Sequence, residues 1–255
     1  MKVRQYILPL LALAALASCG GASSSPADTS HPTGLSTPEA SSQASLPSFE
    51  SFTLSQLHDA RVAKSLLSLN RKAVAVKGKV TFAKHFGEDD GLLVIQSGKF
   101  ALEVAYPSEF NVNVGDSVEA KGLFSAYEVG EVATISLSTY RSSISTSDIK
   151  VIDEAISVET VTIAKEADLY EYESSKATIN FSVTGTRKNA AFVGKLSEGD
   201  TEFIVANKLS VSEKIPEGTF AVGDKLKYEG LFSFSGDATT KVIRYFDKDA
   251  FTKLS

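Results

Sequence analysis

Few side chains in this 255-residue sequence could make or break a covalent bond. Cys19 is the sole cysteine, and His31, His58 and His85 are the only histidines. A disulfide framework and a multi-cysteine zinc site are thereby excluded. No serine elbow and no HExxH pair is present. The run Glu88, Asp89, Asp90 before Gly91 lacks the alternating ligand spacing of a calcium loop and reads as a solvated turn. The sequence predicts no catalytic residues, no metal and no cofactor. What remains is recognition chemistry, a cation set beside an aromatic ring. Lys84, His85 and Phe86 offer it in one half of the chain, with Tyr127; Arg187 and Lys188, beside Asn189, and then Phe234 offer it in the other. A cation meets phosphate or sugar oxygens while a ring stacks on a base or sugar face. A solvated loop has the same composition, so the elements that hold these residues matter.

The first residues, MKVRQYILPLLALAALASCGG, put Lys2 and Arg4 before an apolar run from Tyr6 to Ala17 and then small residues. That is the pattern of a secretory signal, and the run is too short to span a bilayer comfortably. Leu16-Ala17-Ser18-Cys19 resembles a bacterial lipobox, with the sole cysteine at the position such a signal lipidates. The resemblance implies cleavage before Cys19 and a diacylglyceryl group on its thiol. At about 0.8 kcal/mol per buried methylene, two or more acyl chains anchor a protein stably to a membrane. Residues 1–18 are thus expected to be the signal and 19–50 a Ser/Pro-rich tether, disordered for want of apolar side chains. About thirty such residues reach on the order of 30 Å.

Charge bears on partners. The formal net charge is −5; residues 53–150 carry 11 acids against 11 bases and residues 151–255 carry 17 against 13. Neither half shows the basic block that drives non-specific nucleic-acid binding.

The elements come from a repeat. VGDSVEAKGLFS starts at Val114 and VGDKLKYEGLFS at Val222, with seven of twelve positions identical. Gly115 and Gly223 suit a turn of positive φ, and Asp116 and Asp224 can accept from turn amides. Period-two patterns then place Val118, Ala120, Gly122 and Phe124, or Leu226, Tyr228, Gly230 and Phe232, on one face. The mid-strand glycines suggest a barrel corner. Val74, Val76, Gly78, Val80 and Phe82 form a similar inward row, as do Ile179, Phe181, Val183 and Gly185. Hairpins are expected to turn at Ser97-Gly98 and near Gly199. Inward Phe100, Leu102, Val104 and Tyr106 alternate with outward Lys99, Ala101, Glu103 and Ala105; in the second copy Phe203 and Val205 alternate with Glu202, Ile204 and Ala206. Each half offers five strands, and one short helix precedes each set. Thr53 and Gln56 match a capping box with Phe52 and Leu57 as a staple, whereas the second copy keeps Thr162 without its partner. His58 falls in the first helix as a surface or packing residue, and Tyr170 and Tyr172 cap the second set.

Five short strands with a bent first strand and a Val-Gly-Asp entry to the fourth resemble the OB-fold, and more narrowly the tandem OB-like domains of bacterial secreted proteins and lipoproteins. A pair of small β-sandwiches is the competing all-β reading. The resemblance implies an all-β fold of two tandem five-stranded OB-like barrels, at 51–153 and 154–255. It also implies that ligands meet strands two and three and the loops joining strands one to two and four to five. Those are the connections expected to carry Lys84, His85, Phe86, Tyr127, Arg187, Lys188 and Phe234. The expected function is a monomeric, lipid-anchored module on the extracytoplasmic face of a bacterial membrane, binding or scaffolding an envelope protein. The alternative is an extracellular binder of single-stranded nucleic acid or oligosaccharide that assists uptake or degradation.

Overall fold

Thr53 and Gln56 form the reciprocal cap that their spacing predicts. The Gln56 N–H donates to Thr53 Oγ1 at 3.1 Å and the Thr53 N–H donates to Gln56 Oε1 at 2.8 Å. This starts helix α1 (Leu54–Val62), whose Leu54 and Leu57 enter a core that Phe52 also packs against. The computed structural model describes residues 48–63, 65–85, 91–105, 111–129, 132–138, 149–209, 214–236 and 240–255. Expectations resting on Cys19, His31, Phe86, Glu88 to Asp90 and Tyr106 lie outside them.

Around α1 run β1 (Glu50–Phe52), β2 (Ala73–His85), β3 (Gly91–Ser97), β4 (Phe100–Ala105), β5 (Ser117–Val129), β6 (Val132–Ser138) and β7 (Ile149–Val151). The second half repeats the order with β8 (Val161–Ile163), α2 (Glu166–Glu171), β9 (Lys176–Gly185), β10 (Phe192–Leu196), β11 (Glu202–Asn207), β12 (Lys225–Gly236), β13 (Lys241–Tyr245) and β14 (Phe251–Leu254). In the first sheet β2, β3, β4, β6 and β5 are neighbours in that order, and β5 returns to β2; β9, β10, β11, β13 and β12 close in the same way. The third and fifth barrel strands pair in parallel in both halves, β4 with β6 and β11 with β13. These are two tandem OB-like barrels, each preceded by a short helix. Each adds two edge strands that the pattern left out: β1 and β8 run parallel to the first barrel strand, and β7 and β14 flank the fourth. At three or four residues they are too short to show a period.

Each barrel has its own interior. Val74, Ile95, Val104 and Phe124 belong to one buried cluster, and Ile179, Phe203, Phe232 and Tyr245 to another. The repeated motif explains the matching closure. Gly115 and Gly223 take φ values of 105° and 95°, which glycine adopts freely. Asp116 Oδ2 accepts from the Asn113 N–H at 2.7 Å, and Asp224 Oδ2 from the Ala221 N–H at 2.8 Å. The next strand then changes partner at the glycine. Gly230 faces Ala177 of β9, while Phe232 already faces Tyr245 of β13. Gly230 has a second reason to be glycine, because a Cβ there would lie 2.6 Å from the Tyr228 hydroxyl. That hydroxyl donates to the Leu231 carbonyl and accepts from the Phe246 N–H, both inside the barrel. The neighbouring outward charges are exchanged between copies with their pairing kept, Glu119–Lys121 and Lys227–Glu229, each at 2.9 Å.

Several sequence expectations need correction. Lys84 and His85, expected in the connection after the first barrel strand, are the last two residues of that strand, β2. Phe82 does not share the face of Val80: β2 pairs Val80 with Ile95 and then Phe82 with Val94, and the intervening Thr81 is a bulge that reverses the alternation. Thr184 makes the same bulge in β9, and Gly185 stands where Phe82 does. Thr162 lies in β8 and caps nothing; α2 starts after Lys165, with Asp168 Oδ2 accepting from the Ala164 and Lys165 N–H groups at 2.9 and 3.0 Å. The first hairpin turns at Gly98-Lys99, one residue later than its composition suggested, since Ser97 pairs with Phe100. Tyr127 is a strand residue facing Thr134 across β5 and β6, not part of a loop. Phe234 is likewise within β12 and 6% exposed. The fourth strand in each copy runs past the expected turn, because the long bent strand must serve two neighbours.

Candidate nucleic-acid or glycan interface

In an OB barrel the outer face of strands two and three is the usual platform for a ligand. In the first barrel that face is occupied by the second. Gln96 on β3 is fully buried; its Nε2 donates to the Glu159 carbonyl at 2.7 Å and the Gly98 carbonyl at 3.0 Å, and its Oε1 accepts from the Lys176 N–H at 2.9 Å. Val94, also fully buried, packs with Leu231 and Phe246 of the second half. Phe82, turned outward by its bulge, meets Phe246 edge-on at 5.1 Å between ring centroids. Glu103 on β4 takes Lys208 Nζ at 3.1 Å and Ser174 Oγ at 3.0 Å, and Ser175 Oγ donates to the Lys99 carbonyl at 2.6 Å. Of the outward positions read from the sequence, Lys99 and Glu103 therefore serve the seam between barrels.

Helix α1 extends the seam. Arg61 Nη2 meets Glu173 Oε2 at 2.7 Å with both side chains nearly buried. Burial raises the Glu173 carboxyl above the ordinary carboxylate range, with the Arg61 charge opposing. His58 stacks on Phe100 at 4.1 Å with rings 18° from parallel, and Tyr172 lies beyond at 6.5 Å. Burial lowers the His58 imidazole below its ordinary value, and Glu171 at 4.0 Å partly offsets this. His58 is thus a packing residue. Tyr170 caps the second barrel as expected, edge-on to Phe234 at 4.7 Å.

The matching face of the second barrel is uncovered among the described residues. Glu202 is exposed, and Val193, Lys195, Ile204 and Ala206 are half-buried on the outer side of β10 and β11, with Lys195 3.4 Å from Asp200. No aromatic side chain lies among them, so bases find no stacking platform there. The turn before this face holds Arg187 and Lys188, both exposed, and Asn189 at φ 66°. Phe234 contributes nothing to it, since its ring fills the barrel against Phe203. Of the first-copy candidates, Lys84 and His85 are the last residues of β2, facing Leu92 and Gly91. Lys84 lines a cleft of about 570 Å³ between the barrels, with Lys176, Glu229 and Asp247 also on its walls. The structure therefore holds Arg187 and Lys188 in one exposed turn, and places Lys84 and His85 at the end of β2 and Tyr127 in β5. Sequence reasoning passed over Gln96. Its one signal was an uncharged polar residue ending an otherwise apolar strand.

Among the described residues no helix is long and apolar enough to cross a membrane, and no group of three or more His, Cys, Asp or Glu side chains is placed to hold a metal ion.

No protein-family model matches the chain, and no curated protein matches it. Among solved structures it is similar to a murine DNA binding protein bound with double-stranded DNA, at 12% identity over 71% of this chain and 96% of that one, with a TM-score of 0.36. It is similar to a replication protein A heterotrimer bound to single-stranded DNA at 12% identity over 80% of this chain and 56% of that one, TM-score 0.28. A putative aspartyl-tRNA synthetase from Leishmania major Friedlin matches at 16% identity over 47% of this chain, TM-score 0.31, and the matched part spans 24% of that protein. At these identities and TM-scores the likenesses carry no statement about ligand.

Proposed function

We propose that the chain is a lipid-anchored bacterial envelope protein that acts as a non-catalytic binding or scaffolding module, with recognition confined to its second barrel. The observation that carries this reading is the occupied face of the first barrel: Gln96, Val94 and Glu103 are spent on the second barrel and have nothing left for a ligand. The first barrel then acts as a mount. Acyl chains on Cys19 fix the location, the Ser/Pro segment sets the reach, and the β10–β11 face with the Arg187-Lys188 turn makes the contact. A half-buried apolar pair, Val193 and Ile204, ringed by Lys195 and Glu202, suits a protein surface better than a polyanion. Metabolic labelling with a fatty acid tests the anchor. The label should enter the wild type and not Cys19→Ala, which should leave the membrane fraction; a Cys19→Ala protein that stays with membranes removes this part.

The second reading, a binder of single-stranded nucleic acid or oligosaccharide, rests on the exposed Arg187-Lys188 turn. For nucleic acid it requires an affinity that falls steeply with salt and weakens in Arg187→Ala. Flat titrations at low salt end that version.

A further inference from the structure

The second barrel holds a polar cavity apart from the β10–β11 face, at the end where β11 and β13 finish. It measures about 240 Å³, and Asn189, Asn207, Lys214, Glu217 and Tyr245 line it. Tyr245 is 2% exposed, and its oxygen accepts from the Ile215 N–H at 3.0 Å. The Asn207 carbonyl accepts from the Leu209 N–H at 2.6 Å, and the Asn207 side chain also hydrogen-bonds to the phenol. The Tyr245 hydroxyl thus sits in the cavity wall beside Ile215 and Asn207, a group that can donate its proton as well as accept. Burial raises its pKa, which keeps that proton in place.

The rim adds groups of complementary kinds. Asn189 is held at φ 66°, a left-handed conformation that asparagine tolerates, in a turn closed by the Ala190 N–H donating to the Arg187 carbonyl at 3.1 Å. Among the described residues the Asn189 amide makes no hydrogen bond, and Lys214 and Glu217 make no ion pair. One O–H donor, one free amide, one ammonium and one carboxylate thus surround a small space. No aromatic face opens onto it, since the Tyr245 ring packs inside the barrel edge-on to Phe251 at 5.3 Å. A nucleobase needs such a face. A ring carrying hydroxyls on several sides needs donors and acceptors distributed as they are here.

The geometry points to a binding site for a single sugar ring, taken either as a free monosaccharide or as the end unit of a glycan. This rests on the reading of the second barrel as the recognising half. The test uses the full chain in ligand-observed saturation-transfer NMR and calorimetric titration with glucose, galactose, N-acetylglucosamine, their methyl glycosides and matching tri- and tetrasaccharides. A single-stranded DNA oligonucleotide serves as a further arm. At least one sugar should bind saturably with a Kd on the order of 1 mM. Asn189→Gly, which keeps the backbone conformation, should weaken it about 2- to 10-fold, as should Lys214→Gln, the span of one net hydrogen bond. Tyr245→Phe also strips the Ile215 N–H of its acceptor and can unfold the cavity, so the first two variants carry the test. A trisaccharide no tighter than its terminal monosaccharide assigns the site to the free sugar; a gain assigns it to the glycan end. The proposal is overturned if no sugar binds saturably, or if binding survives both variants. Binding of DNA or a protein that Ile204→Glu abolishes, with sugars inert, would leave the second barrel as the recognising half and remove only the sugar site.

Discussion

Replacing Gln96 by alanine is the sharpest perturbation of the seam. The side chain is fully buried and makes three hydrogen bonds, two donated to the carbonyls of Glu159 and Gly98 and one accepted from the Lys176 N–H. The Gly98 carbonyl keeps the Glu159 N–H, 2.8 Å away. The Glu159 carbonyl and the Lys176 N–H lose a partner, and each buried group left unsatisfied costs about 1–3 kcal/mol. Gln96→Ala should therefore cost about 2–6 kcal/mol, toward the lower end if water enters the space. Gln96→Glu should cost no less, because a carboxylate can accept from Lys176 yet turns a lone pair on two carbonyls. Urea titration followed by tyrosine fluorescence gives the free energy, and hydrogen exchange at Lys176 gives the local effect. A loss below about 0.5 kcal/mol with unchanged Lys176 protection would refute the reasoning.

Other outcomes follow from the same geometry. Gly230→Ala drives a methyl group against the Tyr228 hydroxyl, and a Cβ 2.6 Å from that oxygen should cost about 1–3 kcal/mol by overpacking, read as a lower urea midpoint. Thr53→Ala removes the cap of α1 and should cost about 1 kcal/mol in the same assay. For His58 the sign is set by its lowered pKa: the unfolded chain takes up the proton first, so stability is full above pH 6.5 and declines as pH falls through that value. His58→Gln should flatten that part of a melting-temperature profile between pH 7.5 and 5.5. Phe82→Ala should lose about 3 kcal/mol at most, since the ring is only partly buried, and should raise hydrogen exchange in β3.

Much of the barrel plan is legible from spacing because it rests on local rules. The Val-Gly-Asp turns, the Thr53–Gln56 cap and the alternating rows from Val118 to Phe124 and from Leu226 to Phe232 all report residues whose partners lie close in sequence. What spacing does not report is where an alternation reverses. Thr81 is an ordinary strand residue by type, and only pairing with β3 makes it a bulge and turns Phe82 toward the second barrel. Loop placement failed for a related reason. Tyr127 and Phe234 follow the glycine of a strand that looks finished, yet the strand continues because its second half pairs with a different neighbour. Arg187 and Lys188 lie on an exposed turn that local composition marks, whereas the cavity beside them draws Asn207, Lys214 and Tyr245 from three distant segments. Gln96 shows in the sequence only as a polar residue near the end of an apolar strand, and its role appears when Glu159 and Lys176 are brought to it.

Edge-on contact between Phe82 and Phe246 is the most direct report on whether the second barrel covers the first. With ring centroids 5.1 Å apart, selectively labelled full chain should give nuclear Overhauser cross-peaks between the two rings, lost in either alanine variant. Rings without a cross-peak, in barrels that tumble independently, would contradict an occupied first-barrel face.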